Sequence, residues 1–369
     1  MRGSRDNRAA DKFRRSDRTG AHIVNRDDSV HEAGGSLSDS TVAGIDIGDP
    51  EMASRVQASL SEVEALLIEE LSAGEEFLTE TALYLAKAGG KRFRPLFTVL
   101  CGKLGPEPES SSIVTAAAVV EMVHLATLYH DDVMDEATMR RGAVSANERW
   151  SNSIAILAGD YLFAHASRLL STLGPEAVRV IAETFAELVT GQMRETIGAK
   201  SSEDPVAHYL TVIREKTASL IAACGKFGGT FSGADAAQVD RLDRLGDAVG
   251  MAFQICDDII DISSVSEKSG KTPGTDLREG VRTLPMLYAL QDTGPAAERL
   301  HELLSGPITS DAEVDEALGL LRQSEGLRRA RATLHGYAER ARAELRVLPQ
   351  GPANEALNRL IEYTIARVG

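Results

Sequence analysis

Apolar residues recur at helical spacing along most of the chain. Within residues 60–71, 181–193 and 327–345 they return every three or four positions, which places them on one face of an amphipathic helix. Alternation with period two, which would predict strands, is not convincing anywhere, and Gly-Pro pairs fall between the periodic segments. The pattern therefore predicts an all-α fold, a large bundle of many helices in one domain.

The first fifty residues lack this pattern. They mix Arg, Asp, Gly and Ser with scattered apolar residues, so burial would not offset the entropy lost on ordering. We predict a disordered tail over residues 1–50 and a single helical domain over residues 51–369. The tail has no apolar segment of the kind found in secretory signals, so we expect no export.

Composition excludes several classes of protein. Hydrophobic residues make up 43% and charged residues 26% of the chain, which is typical of a soluble globular protein. Forty Lys and Arg against fifty-five Asp and Glu leave a net charge of −15, so nucleic acid is an unfavourable partner. The most apolar stretch, residues 113–129, is interrupted by Glu121 and His124 and predicts a buried helix, not a transmembrane segment.

The three cysteines are odd in number and far apart in the chain. This spacing fits neither a disulfide framework nor a Cys/His zinc site. We therefore expect a cytoplasmic protein.

Two aspartate-rich segments carry the strongest chemical signal, DDVMD at residues 131–135 and DDIID at residues 257–261. Each follows an apolar helix, and positions i and i+4 share a helix face, so each segment presents at least two carboxylates together. One copy alone would most simply be an acidic helix end at the surface. Two copies in apolar helices favour a metal site, and oxygen ligands without clustered Cys or His favour Mg²⁺. The predicted ligands are Asp131, Asp132, Asp135, Asp257, Asp258 and Asp261.

Basic residues are spaced so that they could meet an anion. In GGKRFRP, Gly90 permits close backbone approach beside Lys91 and Arg94, although a solvated basic loop is the simpler alternative. Arg140 and Arg141 follow the first aspartate segment, and paired guanidiniums there fit a diphosphate. A salt bridge to the same aspartates is the alternative for this pair.

Two further positions are unusual for apolar helices. Lys216, followed by Thr217, would need an anionic partner if it is buried. His124 lies two helical turns before Asp131 on the same face, although such a histidine is more often an ordinary core residue.

Five segments in this order, GGKRFRP, EMVHLATLYHDDVMDEATMRRG, REKT, FQICDDIID and GKTPGTDL, resemble the trans-isoprenyl diphosphate synthases, the polyprenyl synthetase family. The resemblance covers residues 55–369. It implies an all-α homodimer with a central active-site cavity, in which two facing aspartate helices hold three Mg²⁺ ions through an allylic diphosphate. The residues that it assigns to isopentenyl diphosphate are Lys91, Arg94, His124 and Arg141. Those that it assigns to the allylic diphosphate are Arg140, Lys216, Thr217, Gln254 and Lys271.

The resemblance also implies the reaction. The enzyme would ionise the allylic primer, join it to isopentenyl diphosphate and leave the proton to the departing diphosphate, with aspartates as metal ligands and not as general acids. One departure is Val281, where the family often has lysine. A class I terpene cyclase would have little use for the GGKRFRP loop with His124, and a non-catalytic partner subunit would be expected to lack central aspartates or arginines.

Product length is predicted from the helix that ends in DDVMD. Ala126 and Thr127, the fifth and fourth residues before Asp131, are small where short-chain members of the family often have an aromatic residue. From Ser112 to Asp131 the helix spans roughly 28 Å, which predicts a product of about C30–C50. The alternative is that the small residues merely allow tight helix packing. The spacing of the second aspartate segment also resembles actinobacterial long-chain synthases, which suggests a menaquinone side chain and membrane contact at product release.

Overall fold

The computed structural model describes residues 40–264 and 273–367, and helices dominate them as predicted. The first nine helices are α1 Pro50–Leu71, α2 Glu76–Lys87, α3 Phe93–Gly102, α4 Ser111–Met134, α5 Ala146–Arg149, α6 Asn152–Ser171, α7 Pro175–Ile197, α8 Pro205–Ile213 and α9 Ser219–Phe231. A π-helical turn, Arg214–Ala218, joins α8 to α9. The remaining helices are α10 Ala236–Ser263, α11 Thr275–Glu279, α12 Leu284–Ala289, α13 Pro295–Leu303, α14 Asp311–Gln323, α15 Glu325–Leu345 and α16 Pro352–Ala366.

Two long helices, α4 and α10, carry the aspartate segments at their C-terminal ends. Helix α4 is long and apolar enough to cross a bilayer by composition alone, yet most of it is buried by its neighbours, as predicted for a core helix. Helix α10 packs against α9 and α15. The amphipathic periods of α1 and α15 are confirmed as well, because their apolar positions face the core.

Small residues let these helices approach closely. A side chain at Gly159 of α6 would lie 3.1 Å from the carbonyl oxygen of Ala126 in α4. A side chain at Gly246 of α10 would lie 2.4 Å from the carbonyl oxygen of Ile221 in α9. Contacts of this kind hold the two aspartate helices in fixed positions within the core.

The domain begins earlier than the predicted boundary at residue 50. Strands β1 Thr41–Val42 and β2 Ile45–Asp46 form a short antiparallel hairpin, and Asp46 is ion-paired with Arg359 of α16 at 2.9 Å. Val42, Ile45 and Ile47 are buried. These apolar side chains offset the ordering entropy of the segment, so the prediction of disorder is wrong for residues 40–50. The rest of the predicted tail, residues 1–39, lies outside the described residues.

Truncation separates the two parts of this segment. Deleting residues 2–39 is expected to leave the melting temperature almost unchanged, whereas deleting residues 2–48 should lower it by several degrees. The second deletion removes the buried side chains of Val42, Ile45 and Ile47, each of which contributes about 1.5–3 kcal/mol when fully buried. Circular dichroism melting of both truncations measures the difference, and equal melting temperatures would contradict the structural role of the hairpin.

Candidate active site

The first aspartate segment occupies the last turn of α4. Asp131 and Asp132 lie there without a basic residue in that turn, so their charges meet the negative end of the helix dipole. Asp132 is fully buried, and one of its oxygens accepts a hydrogen bond from Arg140 Nε at 2.5 Å, while its other oxygen has no partner. Burial raises the pKa of Asp131 to about 6, and the nearby Lys216 ammonium opposes the shift. The arrangement favours additional positive charge.

The second aspartate segment lies in the last turns of α10. Asp258 is buried and accepts hydrogen bonds from the Tyr209 hydroxyl of α8 and from Gln254 Nε2, the latter at 3.1 Å. Burial raises the pKa of Asp258 to about 7. Asp257 Oδ1 lies 3.0 Å from Arg367 NH1, although the two atoms are not aligned as a hydrogen bond. Asp261 accepts from the backbone amides at the start of α11.

Carboxylates from both segments act on Glu279 of α11. The pKa of Glu279 in α11 is raised by burial first, and then by the negative charges of Asp135 and Asp261. Asp135 and Asp261, one from each segment, therefore both lie near Glu279. Within residues 40–264 and 273–367, no three acidic, His or Cys side chains come close enough to hold a metal ion by themselves. A metal here would need further oxygen ligands from a bound molecule.

The π turn places two adjacent polar residues against different helices. Lys216 is ion-paired with Glu195 of α7, and Thr217 donates to Gln254 Oε1 at 3.1 Å. Gln254 in turn donates to Asp258, so Thr217 is linked to the second aspartate segment. The predicted allylic residues thus lie around both segments. Lys271, the remaining member of that group, lies outside the described residues.

A hairpin after α4 presents the paired arginines. Strands β3 Met139–Arg140 and β4 Ala143–Val144 are joined by Arg141 and Gly142, both with positive φ. A two-residue turn of this kind normally favours glycine, asparagine or aspartate, so Arg141 at φ 53° is unusual. Its guanidinium donates to the carbonyl oxygens of Leu85, at 3.1 Å, and Gly89. The turn therefore fixes Arg141 against the basic loop.

The basic loop and this hairpin build a cationic pocket around His124. Arg94 has a buried Nε without a hydrogen-bond partner. Burial, followed by the positive charges of Arg94 and Arg141, holds the pKa of His124 well below its ordinary value of 6.5, so the imidazole is neutral at pH 7. Lys91 Nζ is exposed and donates to the Tyr363 hydroxyl at 2.5 Å. Gly90 adopts φ 132°, and a side chain there would lie 2.9 Å from the Arg141 guanidinium.

Arg92 differs from the other cations of this loop. Its backbone is left-handed, with φ 48°, and its guanidinium donates to Glu64 of α1 and to the buried Glu121 of α4 at 3.0 Å each. These ion pairs fix the Arg92 side chain and stabilise the conformation of the loop. Arg92 therefore anchors the pocket, while Arg94 keeps donor capacity for a ligand.

An apolar cavity of about 520 Å³ adjoins the first aspartate segment. It lies between α4, α6 and α7, and Asp131, Thr127 and Leu188 are among its lining residues. The predicted chain-length residues are thus separated: Thr127 lies on the wall, whereas Ala126 lies outside the lining and is buried at the contact with α6. At Ala126 the interpretation as tight helix packing fits the structure better than that of an open corridor.

Several site residues were not predicted from the sequence. Tyr209 lies 49 positions from its partner Asp258, and Glu195 lies 21 positions from Lys216, so no local motif joins either pair. Gln192, one turn before Glu195 in α7, lines the apolar cavity and has a buried Oε1 without a partner. Gln192 lies on the apolar face that the helical period of α7 predicts. A polar residue on that face was the feature of the sequence that could have identified it as a site residue.

Comparisons with known proteins agree with these features. The pattern of the polyprenyl synthetase family matches residues 75–321. The nonaprenyl diphosphate synthase of Mycobacterium tuberculosis is 59% identical over 328 residues, 89% of this chain and 98% of that protein.

Two solved structures extend the comparison. Geranylgeranyl pyrophosphate synthase from Corynebacterium glutamicum, complexed with calcium and isoprenyl diphosphate, is 52% identical with a TM-score of 0.79, covering 87% of this chain and 99% of that chain. Decaprenyl diphosphate synthase from Rhodobacter capsulatus is 33% identical with a TM-score of 0.78, covering 86% of this chain and 99% of that chain.

Proposed function

This chain belongs to the polyprenyl synthetase family, and from that premise we propose that it condenses isopentenyl diphosphate with an allylic diphosphate to give a long-chain all-trans polyprenyl diphosphate. The observation that carries the proposal is the pairing of two anion sites with one apolar cavity. The cationic pocket surrounds His124, two helical turns before Asp131 in α4, and Asp131 itself lines the apolar cavity.

Metal binding is supported by two carboxylate oxygens of the described site that accept no hydrogen bond. Asp132 Oδ2 and Asp257 Oδ1 are buried carboxylate oxygens that accept no hydrogen bond, although Arg367 NH1 lies 3.0 Å from the second. Buried carboxylates of this kind fit a hard divalent cation, and we propose Mg²⁺, about three ions per site, shared between the two segments and the allylic diphosphate. Asp131, Asp132 through its Oδ2, Asp135 and Asp257 would contribute most, because Asp258 is held by Tyr209 and Gln254. Bound Mg²⁺ would supply positive charge to the departing diphosphate.

The protein's own cations would bind and orient the two substrates. Lys216 and Arg140 flank Asp131 and would stabilise negative charge on the allylic diphosphate as its C–O bond breaks. Lys216 is ion-paired with Glu195 and Arg140 with Asp132, so each would have to turn from its carboxylate to the diphosphate. Thr217 and Gln254 would add neutral hydrogen bonds. Val281 is half exposed and supplies no charge, so Arg140 and Lys216 would have to provide it.

Isopentenyl diphosphate would bind in the cationic pocket. Arg94 and Arg141 offer positive charge there, and Gly90 allows close approach of the backbone. Lys91, which contacts Tyr363, would have to turn toward the diphosphate from the same loop. His124 is neutral and would donate a single hydrogen bond without adding charge. Binding in this pocket would bring the double bond of isopentenyl diphosphate to the ionising primer.

A direct assay tests the proposal. The purified protein, incubated with isopentenyl diphosphate, farnesyl diphosphate and Mg²⁺, is expected to incorporate isopentenyl units and release a product of about C30–C50. The 59% identity to a nonaprenyl synthase supports this length. The second candidate is a shorter-chain synthase, which the Corynebacterium structure favours, and chromatography of the product at C15–C20 would select it. Absence of incorporation would contradict both.

The biological setting of the reaction belongs to the same proposal. A long all-trans chain suits a quinone side chain, and we propose menaquinone synthesis in the cytoplasm, with contact to a membrane surface when the apolar product leaves. The alternative of a non-catalytic subunit is disfavoured because all six aspartates of the two segments are present.

We also propose that the active protein is a homodimer. Apolar side chains are exposed on α2 and α6, including Phe77, Ile156 and Leu157, and an apolar face of this kind is commonly covered by a second copy. Leu157→Glu is expected to lower the mass in light scattering from twice 39.5 kDa to 39.5 kDa. Val347→Glu is the matched control, because Leu157 and Val347 are each 60% exposed. A monomeric wild type, or equal behaviour of the two variants, would contradict the assignment.

A further inference from the structure

The apolar cavity is lined by residues on one face of each of its helices, and on each helix the lining ends at a particular residue. On α7 its lining runs from Ile197, near the aspartates, through Leu188 to Phe185, which is the deepest α7 residue. On α4 the deepest lining residue is Thr127, and on α6 it is Asp160. Since α6 runs antiparallel to α4, the next inward turn of α6 brings Phe163 to the same depth as Phe185.

At this end of the cavity the lining residue Phe185 packs against the ring of Phe163 in α6. The centroids of Phe163 and Phe185 are 4.3 Å apart, and the ring planes are tilted by 31°. Paired rings at this separation attract one another beyond simple burial, so the pair forms a joined wall across α6 and α7. Beyond it the next positions on the same helix faces, Val123 of α4 and Ile181 of α7, are buried in the core. On α7 the cavity lining therefore ends at Phe185, which Phe163 backs from α6.

The cavity volume sets how much product fits before this wall. A water molecule takes about 30 Å³ in the liquid. If each carbon atom of the chain takes somewhat less than this, an isoprene unit of five carbon atoms takes roughly 100–130 Å³. By the same measure about 520 Å³ holds on the order of four units. A longer chain must displace the rings or leave through the side of the cavity at Ile197, which is exposed.

We infer that Phe163 and Phe185 form a floor that a growing chain must displace to pass beyond about four isoprene units, and that they are therefore specificity-determining residues of this synthase. The inference rests on the proposed function. Product length would then be controlled at the facing surfaces of α6 and α7. Ala126, the residue proposed from the sequence, lies outside the cavity lining.

Product chromatography of floor variants tests this assignment. Phe185→Ala and Phe163→Ala are each expected to lengthen the main product by at least one isoprene unit, while the rate of the first condensation stays within about twofold of wild type. Thr127→Phe, which fills the cavity above the floor, is expected to shorten the product. Phe231→Ala is the matched control, because Phe231 also belongs to an aromatic pair, with Phe227, but lies in α9 outside the cavity lining.

The outcomes distinguish this inference from the proposed function. Unchanged product length in both floor variants, with turnover retained, would overturn the floor while leaving the synthase activity intact. A wild-type protein without any condensation activity would overturn the proposed function instead. Phe185→Leu keeps an apolar side chain but removes the ring, so lengthening by this variant would support the floor even where Phe185→Ala fails to fold.

Discussion

Replacing Asp131 or Asp257 with alanine is expected to lower kcat by at least ~10²–10³-fold, comparable to losing another preorganised electrostatic stabiliser. Both carboxylates lie at the C-terminal ends of apolar helices, where a buried negative charge is costly unless a cation meets it. Each variant would weaken the binding of metal that stabilises the leaving diphosphate. Turnover is measured with labelled isopentenyl diphosphate at saturating Mg²⁺.

Stability measurements separate this effect from misfolding. The pKa of Asp131 is raised from 3.8 to about 6, so the folded state binds the proton more tightly than the unfolded state does. The ionised carboxylate therefore destabilises the fold above pH 6, and Asp131→Ala should melt at or above the wild-type temperature in metal-free buffer at pH 8. Asp315→Ala, at an exposed position of α14, is the activity control. Near-wild-type turnover of Asp131→Ala would defeat the proposed metal site.

The second large effect concerns Arg94. Arg94→Ala is expected to raise the KM for isopentenyl diphosphate about 10- to 150-fold, because a hydrogen bond to a charged group contributes ~1.5–3 kcal/mol. The KM for the allylic primer should change little. Arg94 is suited to this role because its Nε is buried without a partner, whereas neighbouring Arg92 is already paired with Glu64 and Glu121. Steady-state kinetics with each substrate varied in turn provides the measurement.

Lys216→Ala gives the complementary profile. It is expected to lower kcat while leaving the KM for isopentenyl diphosphate nearly unchanged, since Lys216 lies beside Asp131 and not in the cationic pocket. Arg328→Ala, an exposed position of α15, controls for the loss of a positive charge. Equal changes of both KM values in Arg94→Ala would mean that the two substrate sites have been assigned wrongly.

The sequence predicted the helices and the grouping of charges well, because both depend on local spacing. Apolar periods identified α1 and α15, and the two aspartate segments were recognisable from a few adjacent residues. The hairpin before α1 was missed because Val42, Ile45 and Ile47 gain their stability from contacts with distant helices. A short strand pair in a polar segment has little local signal of its own.

Features that depend on how helices turn toward one another could not be predicted. Ala126 and Thr127 are adjacent in the sequence, yet only Thr127 lines the cavity, since neighbouring helix positions differ by about 100°. The direction of the cavity depends on where α6 and α7 lie. The sequence of α4 alone does not predict their positions. For the same reason the hydroxyl of Tyr209 beside Asp258 had no counterpart in any local motif.

The π turn at Arg214–Ala218 limits where residues can be inserted into or deleted from this chain. A π turn closes hydrogen bonds five residues apart, so it accommodates one residue more than an α turn. Deleting one residue there would restore a regular helix from α8 to α9 and rotate one half by about 100° against the other. Lys216 would then lose its place against α7, or Thr217 its place against α10. Insertions and deletions should therefore accumulate in the loop at 198–204 and be eliminated within residues 205–231.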